Sequence, residues 1–362
     1  MGLQEHRAKA ALCKLLRRYG FSIRDVEGLP TAFVASYGRG RPGIALLAEY
    51  DALEGMGHAC GHHLIAGMSV LAAIGAASFL TSIPGTIHVV GCPAEETIGG
   101  KALLVKKGIF KNIDAAMMIH PADRTEIVKL SLSMQRIRVT FRGVSSHASA
   151  TPWKGRSALA ALLSLMRAVD INRTTMPDGD RIDGIIKSGG EAANVIPDLA
   201  EAELFIRSRR IESHSRLLRR FIHMVKGAAK AFRVEYGIEY VGNVYYPLSP
   251  SRTLAGLFAD QLRKHGIKID NFFTDSEMGS SDIGNVSFVV PTIHPTLAIT
   301  DGPCPAHSKA FQEQSGTVGA YRSVKTGAVL LTSTAAEIYK NSGLLSDLKS
   351  NTIFNIVDNR RR

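Results

Sequence analysis

The sequence has few cysteines. Its 362 residues include four of them, at positions 13, 60, 92 and 304, with irregular spacing. Such a set cannot form the disulfide framework of a small secreted scaffold. The charged N-terminal segment MGLQEHRAKAALCKLL also lacks the apolar core of a secretory signal. We therefore expect a reducing compartment, with the cytoplasm as the default location.

Acidic residues are outnumbered by basic ones. The chain has 32 Asp and Glu against 44 Lys and Arg, which gives a formal net charge of +12. A basic balance is compatible with nucleic acid, an anionic membrane surface or acidic small molecules. No aromatic ladder, zinc-finger spacing or RNA-binding signature accompanies the basic clusters. We predict no nucleic-acid partner and interpret the basic run at 207–233 as a solvated helix face.

Long uncharged segments are also scarce, and the one at 64–83 approaches the length of a membrane span. It contains Gly67 and Gly75, has no aromatic belt or basic flank, and directly follows a Cys/His cluster. A helix buried on all sides in a large core has the same composition. We predict a buried helix and no membrane contact.

Strands and helices alternate along the first part of the chain. Apolar runs predict strands at 33–37, 44–48, 86–91 and 115–119, with the buried helix and a short helix at 101–107 among them. The same character returns after 247, with a helix at 252–265, strands at 286–290 and 297–299, and a closing helix at 317–339. This pattern is typical of an α/β sheet covered on both faces.

The segment between these parts has a different pattern. Ile137, Val139 and Phe141 alternate with polar residues, as in a half-exposed strand. A helix at 156–169, strands at 182–187 and 200–208, a helix at 213–230 and a strand at 234–241 complete a β-α-β-β-α-β order. That order is the ferredoxin-like plan. We predict a discontinuous α/β domain at 1–126 and 248–345, an inserted domain at 127–247, and an unassigned tail at 346–362.

Potential metal ligands are densest just after the strand at 44–48, where the sequence has Asp51, His58, Cys60, His62 and His63. Cys60-Gly61-His62 places a thiolate and an imidazole one residue apart, and the glycine allows a tight turn between them. A buried free cysteine beside solvent-facing histidines would give the same local pattern. The cluster alone therefore leaves both interpretations open.

Further polar residues follow other strands of the same sheet. Glu95 and Glu96 come after the strand at 86–91, His120 ends the strand at 115–119, and His307 precedes the last helix. Of two adjacent carboxylates, one can bind a metal while the other handles a proton, although a plain acidic loop is the alternative. The crevice at strand ends is where α/β sheets bind ligands. This ligand set suits Zn²⁺, or Mn²⁺ if oxygen ligands dominate.

Six ordered segments carry a resemblance to a known family: ALLAEYDALEGMGHACGHH, GCPAEETIGGK, the His120-Pro121 strand end, SSHASATPWKGRSAL, GGEAANVIPDLAEAELFIR and AHSKAF. From 5 to 339 the chain resembles the di-metal amidohydrolase and carboxypeptidase family that includes the aminoacylases. The most similar branch holds p-aminobenzoyl-glutamate hydrolase, the auxin-amino-acid amidohydrolases and the β-alanyl-lysine-type dipeptidases. The resemblance implies a catalytic metallohydrolase domain with an inserted lid and dimerisation domain.

The resemblance implies two divalent ions per subunit, zinc or manganese. Cys60 matches a bridging thiolate, Glu96 and His307 match ligands of one ion, and His62 and His120 match ligands of the other. Glu95 matches the general base, which takes a proton from metal-activated water and passes it to the leaving nitrogen. Asp51 matches a carboxylate that orients a ligating histidine.

The inserted domain matches the family at three further positions. His147 corresponds to a histidine that reaches the partner's active site across a dimer interface and stabilises the oxyanion. Asn194 and Arg207 correspond to residues that hold the substrate's carboxylate. The resemblance therefore implies a homodimer and a small-molecule substrate, either an N-acyl amino acid or a dipeptide.

Two positions depart from the family pattern. His63 stands where relatives usually carry Asp or Asn, so an additional imidazole could compete for an ion. Lys309 stands where Glu is common, which predicts a more basic pocket rim. The expected function is a metal-dependent amidohydrolase. The alternative is a non-catalytic binding or regulatory protein that retains the fold, although the complete ligand set beside Glu95 argues against it.

Overall fold

The computed structural model describes residues 2–276, 278–341 and 343–350. The chain forms two units, one from the segments Met1–Ser131 and Leu248–Arg362 and one from Leu132–Pro247. The inserted unit starts at Leu132 rather than at 127, because the strand Glu126–Lys129 pairs with strands of the first unit. Most of the predicted tail lies outside the described residues.

The elements follow one another as the alternating pattern predicts. The first segment contains α1 (His6–Arg18), β1 (Ser22–Val26), β2 (Leu29–Arg39), β3 (Gly43–Glu49), α2 (His62–Ala77), β4 (Gly85–Cys92), α3 (Gly100–Lys106), β5 (Ala115–Met117), β6 (His120–Ala122) and β7 (Glu126–Lys129). The inserted unit contains β8 (Ser133–Arg142), α4 (Ala158–Asn172), β9 (Arg181–Ser188), β10 (Leu199–Ser208), α5 (Ile211–Phe232) and β11 (Glu235–Tyr245). The last segment contains α6 (Arg252–Lys264), β12 (Asn271–Thr274), α7 (Ile283–Ser287), β13 (Thr292–Ile293), β14 (Thr296–Ala298), α8 (Lys309–Ser315), α9 (Val318–Lys340) and α10 (Leu344–Ser350).

A mixed sheet with the strand order β1-β2-β4-β3-β5-β13 forms the centre of the first unit. Every residue of β3 is buried, and its side chains alternate between two apolar clusters. Ile44 and Leu46 belong to one cluster, whereas Ala45 and Leu47 belong to the other. Because successive side chains of a strand point to opposite faces, both faces of this sheet are covered. The predicted α/β class is confirmed.

The parallel strands of this sheet bring their ends to one edge. β3 pairs in parallel with β4 and with β5. The segments that follow these strands carry the candidate ligands: Cys60 and His62 after β3, Glu96 after β4 and His120 after β5. Since parallel strands end on the same side of a sheet, these residues are directed to a common crevice.

The apolar helix predicted at 64–83 is α2, which is buried along most of its length. It packs against α9, and glycine permits the close approach, because a Cβ on Gly67 would lie 2.9 Å from Cγ1 of Val324. Among the described residues, no helix is long and apolar enough to cross a membrane.

In the first unit one strand prediction was wrong and another was too long. Residues 286–290 do not form a strand, since α7 occupies Ile283–Ser287 and β13 follows at Thr292–Ile293. A short apolar run does not distinguish a buried strand from a buried helix turn. The strand predicted at 115–119 is shorter in the structure, because β5 ends at Met117. His120 begins a separate strand, β6, which lies in a second sheet of order β12-β7-β14-β6.

The inserted unit has the predicted ferredoxin-like plan. Its sheet has the order β11-β8-β10-β9 and all neighbouring strands are antiparallel. β8 alternates between buried and partly exposed residues. Ile137, Val139 and Phe141 pack with α4 and α5 in one apolar cluster. The alternation in the sequence therefore indicated both the strand and its buried face.

Candidate metal centre

The turn Cys60-Gly61-His62 places two of the candidate ligands. Gly61 precedes α2 with φ of 76°, a left-handed conformation that favours glycine. A Cβ at this position would lie 2.6 Å from Cγ of Pro121, so a side chain would also collide with the strand that carries His120. The glycine predicted to allow a tight turn is thus also required by a close approach.

The structure brings the predicted ligands together in two groups that share one residue. Cys60, His62 and His120 can direct one donor atom each to positions within 4.8 Å of one another, and so can Cys60, Glu96 and His307. The Sγ of Cys60 lies 3.5 Å from Nε2 of His120. The Nε2 of His307 lies 3.2 Å from Oε1 of Glu96. Cys60 therefore stands where it could bridge two ions.

Two histidines are oriented by hydrogen bonds at their other ring nitrogen. His62 donates from Nδ1 to Oδ1 of Asp51 at 2.8 Å. His120 donates from Nδ1 to the carbonyl oxygen of Pro121 at 2.8 Å. Both bonds leave Nε2 directed at the other groups of the site, Cys60 for His120 and Glu49 for His62, and metal-ligating histidines are usually oriented in this way. Asp51 also accepts from the backbone N–H of Glu96 at 3.0 Å, so it organises both ligand groups.

The electrostatics of the site favour a thiolate at Cys60. Burial alone would raise the pKa of this thiol, but the charge of His120 and hydrogen bonds from His120, His307 and His62 outweigh it and lower the pKa to about 6. The hydrogen bonds to Cys60 and Glu96 raise the pKa of His307 to about 10. A thiolate is the form of cysteine that binds metals.

Glu95 differs from its neighbour Glu96 in its surroundings. It is only 8% exposed. Burial, followed by the negative charges of Glu49 and Asp282, raises its pKa well above the usual value, whereas the pKa of Glu96 is lowered chiefly by its hydrogen bond to His307 against the effect of burial. Two adjacent carboxylates are therefore divided into a proton-binding group and a ligand-type group, as the sequence suggested.

A buried lysine, Lys101, lies next to the candidate ligands and was not predicted from the sequence. The Nζ of Lys101 forms ion pairs with Glu49 and with Asp282, and none of the three is more than 1% exposed. The Oε2 of Glu49 lies 3.4 Å from Nε2 of His62, which connects this network to the ligands. A lysine in a short helix is usually exposed to solvent, so its sequence context gives no indication that it is buried between two carboxylates.

The backbone is strained at two positions of the site. Ala94, just before Glu95, and His307 both have positive φ, at 59° and 63°, although neither is glycine. The N–H of Ala94 donates to Oε1 of Glu5 at 3.1 Å, and the N–H of His307 donates to the carbonyl of Ala59 at 2.8 Å. Such conformations persist where surrounding contacts hold them, and they concentrate at functional sites.

The two departures from the family pattern lie outside the ligand groups. His63 donates from Nε2 to the carbonyl of Ser315 at 3.1 Å, and its ring lies 4.4 Å from that of His58. Burial and the nearby charge of His58 lower the pKa of His63 to about 4. Lys309 is exposed at the first position of α8. Among the described residues, His63 belongs to neither group of candidate ligands.

The three candidate residues of the inserted unit lie at two ends of its sheet. His147 and Asn194 are exposed in loops that pair with each other, since the N–H of Ala148 donates to the carbonyl of Asn194 at 2.9 Å. Arg207 lies near the far end of β10. It forms an ion pair with Asp183 at 3.2 Å, and its guanidinium lies over the ring of Phe205.

Comparison with known families identifies this arrangement. The profile of peptidase family M20/M25/M40 matches residues 45–333, most of the chain. The chain belongs to this family. The resemblance stated from the six sequence segments is thereby confirmed, as is a hydrolase that acts on amide bonds, and a non-catalytic role is not favoured.

Individual members of the M20/M25/M40 family extend this match. Over 367 aligned positions the chain is 33% identical to Xaa-Arg dipeptidase of Mus musculus, covering 96% of this chain and 85% of the relative. It is also 33% identical to one of the subunits of p-aminobenzoyl-glutamate hydrolase from Escherichia coli over 240 positions, covering 60% of this chain and 50% of that relative.

Solved structures of this family have the same fold. A dinuclear metal binding peptidase of family M20 from Bacillus subtilis superposes with a TM-score of 0.71 at 18% identity, covering 94% of each chain. The aminobenzoyl-glutamate utilization protein from Klebsiella pneumoniae superposes with a TM-score of 0.68 at 18% identity, covering 92% of this chain and 91% of that one.

Proposed function

We propose that this family member is a metal-dependent amidohydrolase that cleaves the amide bond of N-acyl amino acids or dipeptide-like substrates. The observation that carries the proposal is the membership of Cys60 in two donor groups, one with His62 and His120 and one with Glu96 and His307. A shared thiolate with two further ligands on each side suits two divalent ions, which we propose to be zinc or manganese.

The donor atoms fit such ions. Cys60 is mainly thiolate at neutral pH because its pKa is about 6. The hydrogen bonds at Nδ1 orient His62 and His120 so that their Nε2 atoms are the ones that would bind a metal. The Oε1 of Glu96 is buried and faces the imidazoles of His62 and His307, at 3.8 Å and 3.2 Å from their Nε2 atoms. Bound ions would supply Lewis acidity that polarises the amide carbonyl and activates water.

Glu95 is the proposed general base. It takes a proton from the attacking water and passes it to the leaving nitrogen. Its carboxylate can lie within 4.8 Å of the donor atoms of His62 and Glu96, so it borders the proposed ligands. The raised pKa strengthens it as a proton acceptor.

His147 is the proposed donor to the oxyanion, and its local contacts suit that role. Its Nδ1 accepts hydrogen bonds from the N–H of Ala150 at 3.2 Å and from the hydroxyl of Ser149 at 3.1 Å. The proton of the neutral imidazole is therefore on Nε2. An exposed Nε2–H is the kind of donor that a tetrahedral oxyanion requires.

Asn194 and Arg207 are the proposed partners of the substrate's carboxylate, and their separation supports a dimer. Arg207 lies eight residues beyond Leu199 along β10, which is about 26 Å at the rise of a strand, while Asn194 precedes that strand. One small carboxylate cannot contact both residues of one chain. We propose that His147 and Asn194 act at the active site of the partner chain in a homodimer.

The inserted unit has an exposed apolar surface that suits such a dimer. β9 is an edge strand of its sheet, and Ile185 and Ile186 on it are 58% and 42% exposed. On α4, Leu163 and Ile171 are more than half exposed. Exposed apolar edges of this kind mark protein interfaces. The proposed form is a cytoplasmic homodimer.

The names of the relatives support the substrate class. Xaa-Arg dipeptidase and p-aminobenzoyl-glutamate hydrolase are both named for substrates in which an amide nitrogen belongs to an amino acid. The Bacillus subtilis structure is that of a dinuclear metal binding peptidase.

The test is an assay of the full chain loaded with Mn²⁺ or Zn²⁺ against p-aminobenzoyl-glutamate, N-acyl amino acids and dipeptides. We expect turnover of at least one of them. Glu95→Gln should lower kcat by about 100-fold or more, because it removes the proton acceptor, while metal content is retained. Glu337→Gln on α9 is the matched control and should retain full activity. Absence of turnover with confirmed metal occupancy would contradict the proposal and favour a non-catalytic role.

A further inference from the structure

A cavity of about 360 Å³ adjoins the candidate ligand His120 in the first unit. Its wall includes residues of the segment that runs from β6 into β7, the segment 279–281, and residues 304–306 just before His307. A substrate whose amide bond is at the proposed metal centre would place one of its ends in this cavity. The polar groups in the wall therefore determine which substrates fit.

The acidic groups of the wall already have partners. The Oε1 of Glu126 accepts hydrogen bonds from Asn271 at 3.0 Å and from Thr274 at 2.7 Å, and Oε2 forms an ion pair with Lys129 at 3.5 Å. Glu126 is 3% exposed, so a ligand has little access to it. Asp123 accepts a hydrogen bond from the N–H of Cys304 at 3.0 Å. Each of these two carboxylates thus already accepts at least one hydrogen bond from the protein.

Two hydrogen-bond donors in the cavity wall, unlike its carboxylates, have no partner among the described residues. The guanidinium of Arg124 is exposed, and among the described residues it forms no ion pair. The hydroxyl of Ser280 is buried in the same wall and has no hydrogen-bond partner in the described part of the chain. Arg124 and Ser280 together offer unused hydrogen-bond donors, one of them charged. A planar guanidinium is well suited to a carboxylate.

We propose that this cavity binds a second carboxylate of the substrate through Arg124, with Ser280 as a further donor. This inference rests on the proposed amidohydrolase function and narrows its substrate class to acidic compounds. These are N-acyl derivatives of glutamate or aspartate, dipeptides with such a residue, or amides of a dicarboxylic acyl group. The two relatives compared above differ in the charge of the amino acid for which they are named, which is basic arginine in one and acidic glutamate in the other.

The experiment compares matched substrate pairs on the metal-loaded full chain. One pair is N-benzoyl-glutamate and N-benzoyl-glutamine, which differ in one carboxylate on the amino-acid side. The other is N-succinyl-leucine and N-butanoyl-leucine, which differ on the acyl side. We expect kcat/KM to favour the acidic member of at least one pair by about tenfold or more, as for a hydrogen bond to a charged group.

Arg124→Gln should remove most of that preference by raising KM for the acidic substrate, with little change for the neutral one. Arg124→Glu should invert it and favour N-benzoyl-arginine, because the cavity would then present a free carboxylate. Arg18→Gln, at the exposed end of α1, is the matched control and should retain the wild-type preference.

The outcome distinguishes failure of the proposed carboxylate site from failure of the proposed amidohydrolase function on which that site rests. Turnover of the neutral substrates, with no preference for acidic ones or with a preference unchanged in Arg124→Gln, would overturn the carboxylate site and leave the amidohydrolase intact. Absence of turnover for every substrate, with metal confirmed, would overturn the function itself.

Discussion

Lys101 is a buried cation between two buried carboxylates in the first unit. Its ammonium is completely buried and forms ion pairs with Glu49 and Asp282, while its own N–H donates to Asp282 at 2.7 Å. Attraction to these carboxylates raises the pKa of Lys101 although burial alone would lower it. The residue therefore fixes the ends of β3, α3 and α7 relative to one another.

We predict that Lys101→Met lowers the free energy of unfolding by about 3 to 5 kcal/mol, because it leaves buried carboxylates without their counter-charge. Lys101→Met combined with Asp282→Asn should recover part of the loss. Denaturant-induced unfolding of the full chain measures both. Lys107→Met, in the exposed end of the same helix region, is the control, and a loss for Lys101→Met no larger than that of the control would contradict the account.

At the residue scale, the sequence predicted candidate ligands and the orienting carboxylate of Asp51, but it did not predict the buried charges of Lys101 and Asp282. Cys60, His62, Glu96, His120 and His307 could be proposed because short motifs carry them, and the structure brings them together. Lys101 and Asp282 are 181 positions apart, and nothing in either local sequence shows that they meet. Burial of a charge is decided by the three-dimensional fold, which a single sequence does not display.

His214 connects two elements of the inserted unit, β8 and α5. It is 2% exposed and its Nδ1 lies 2.9 Å from the hydroxyl of Ser133. That hydroxyl donates to the carbonyl of Ser208, so His214 is the donor to Ser133. Its Nε2 is buried without a partner among the described residues, and protonation there would leave an unsatisfied N–H. Burial accordingly lowers the pKa of His214 to about 4.

We predict that this histidine weakens the fold in mild acid. The unfolded chain binds a proton near the ordinary histidine pKa of about 6.5 while the folded chain does not, so stability falls by about 2 kcal/mol between pH 7 and pH 5. His214→Gln should reduce the pH-dependent loss by that amount. The measurement is the free energy of unfolding at both pH values. His223→Gln, exposed on the same helix, is the control, and equal losses in His214→Gln and wild type would exclude the mechanism.

Elements with a clear period could be predicted, and short apolar ones could not. The alternation in β8 and the long helical stripe of α5 are visible in the sequence because one face of each is buried and the other is solvated. All five residues of α7 are buried, so they show no period, and part of this helix was predicted as a strand. A hydrophobic period arises where one face of an element is buried and the other is exposed to solvent. α7 has no exposed face, so its sequence has no such period.

The proposed homodimer concerns the whole molecule, because in that proposal each active site uses residues of both chains. His147 and Asn194 are exposed at one end of the inserted unit, and Arg207 lies near the other. The loops that carry His147 and Asn194 are joined by backbone hydrogen bonds, so they form one structure at that end. If all three residues contact the substrate, as we propose, the partner chain supplies part of those contacts.

We predict that His147→Ala retains the fold and metal content and loses most activity. Mixing it with Glu95→Ala protein under subunit exchange should restore about a quarter of wild-type activity, because half of the dimers are mixed and each has one intact site. Turnover of the mixture against each parent is the measurement. If the mixture remains as inactive as its parents although exchange is confirmed, His147 does not act across the interface.

The central claim is a pair of ions bridged by Cys60, and elemental analysis after incubation with Mn²⁺ or Zn²⁺ and dialysis tests it most directly. We predict about two ions per chain in wild type, about one in Glu96→Ala and fewer than one in Cys60→Ala, since the thiolate is shared. Cys13→Ala, a buried cysteine in α1, is the control and should match wild type. Two ions in Cys60→Ala, or none in the parent protein, would contradict the account.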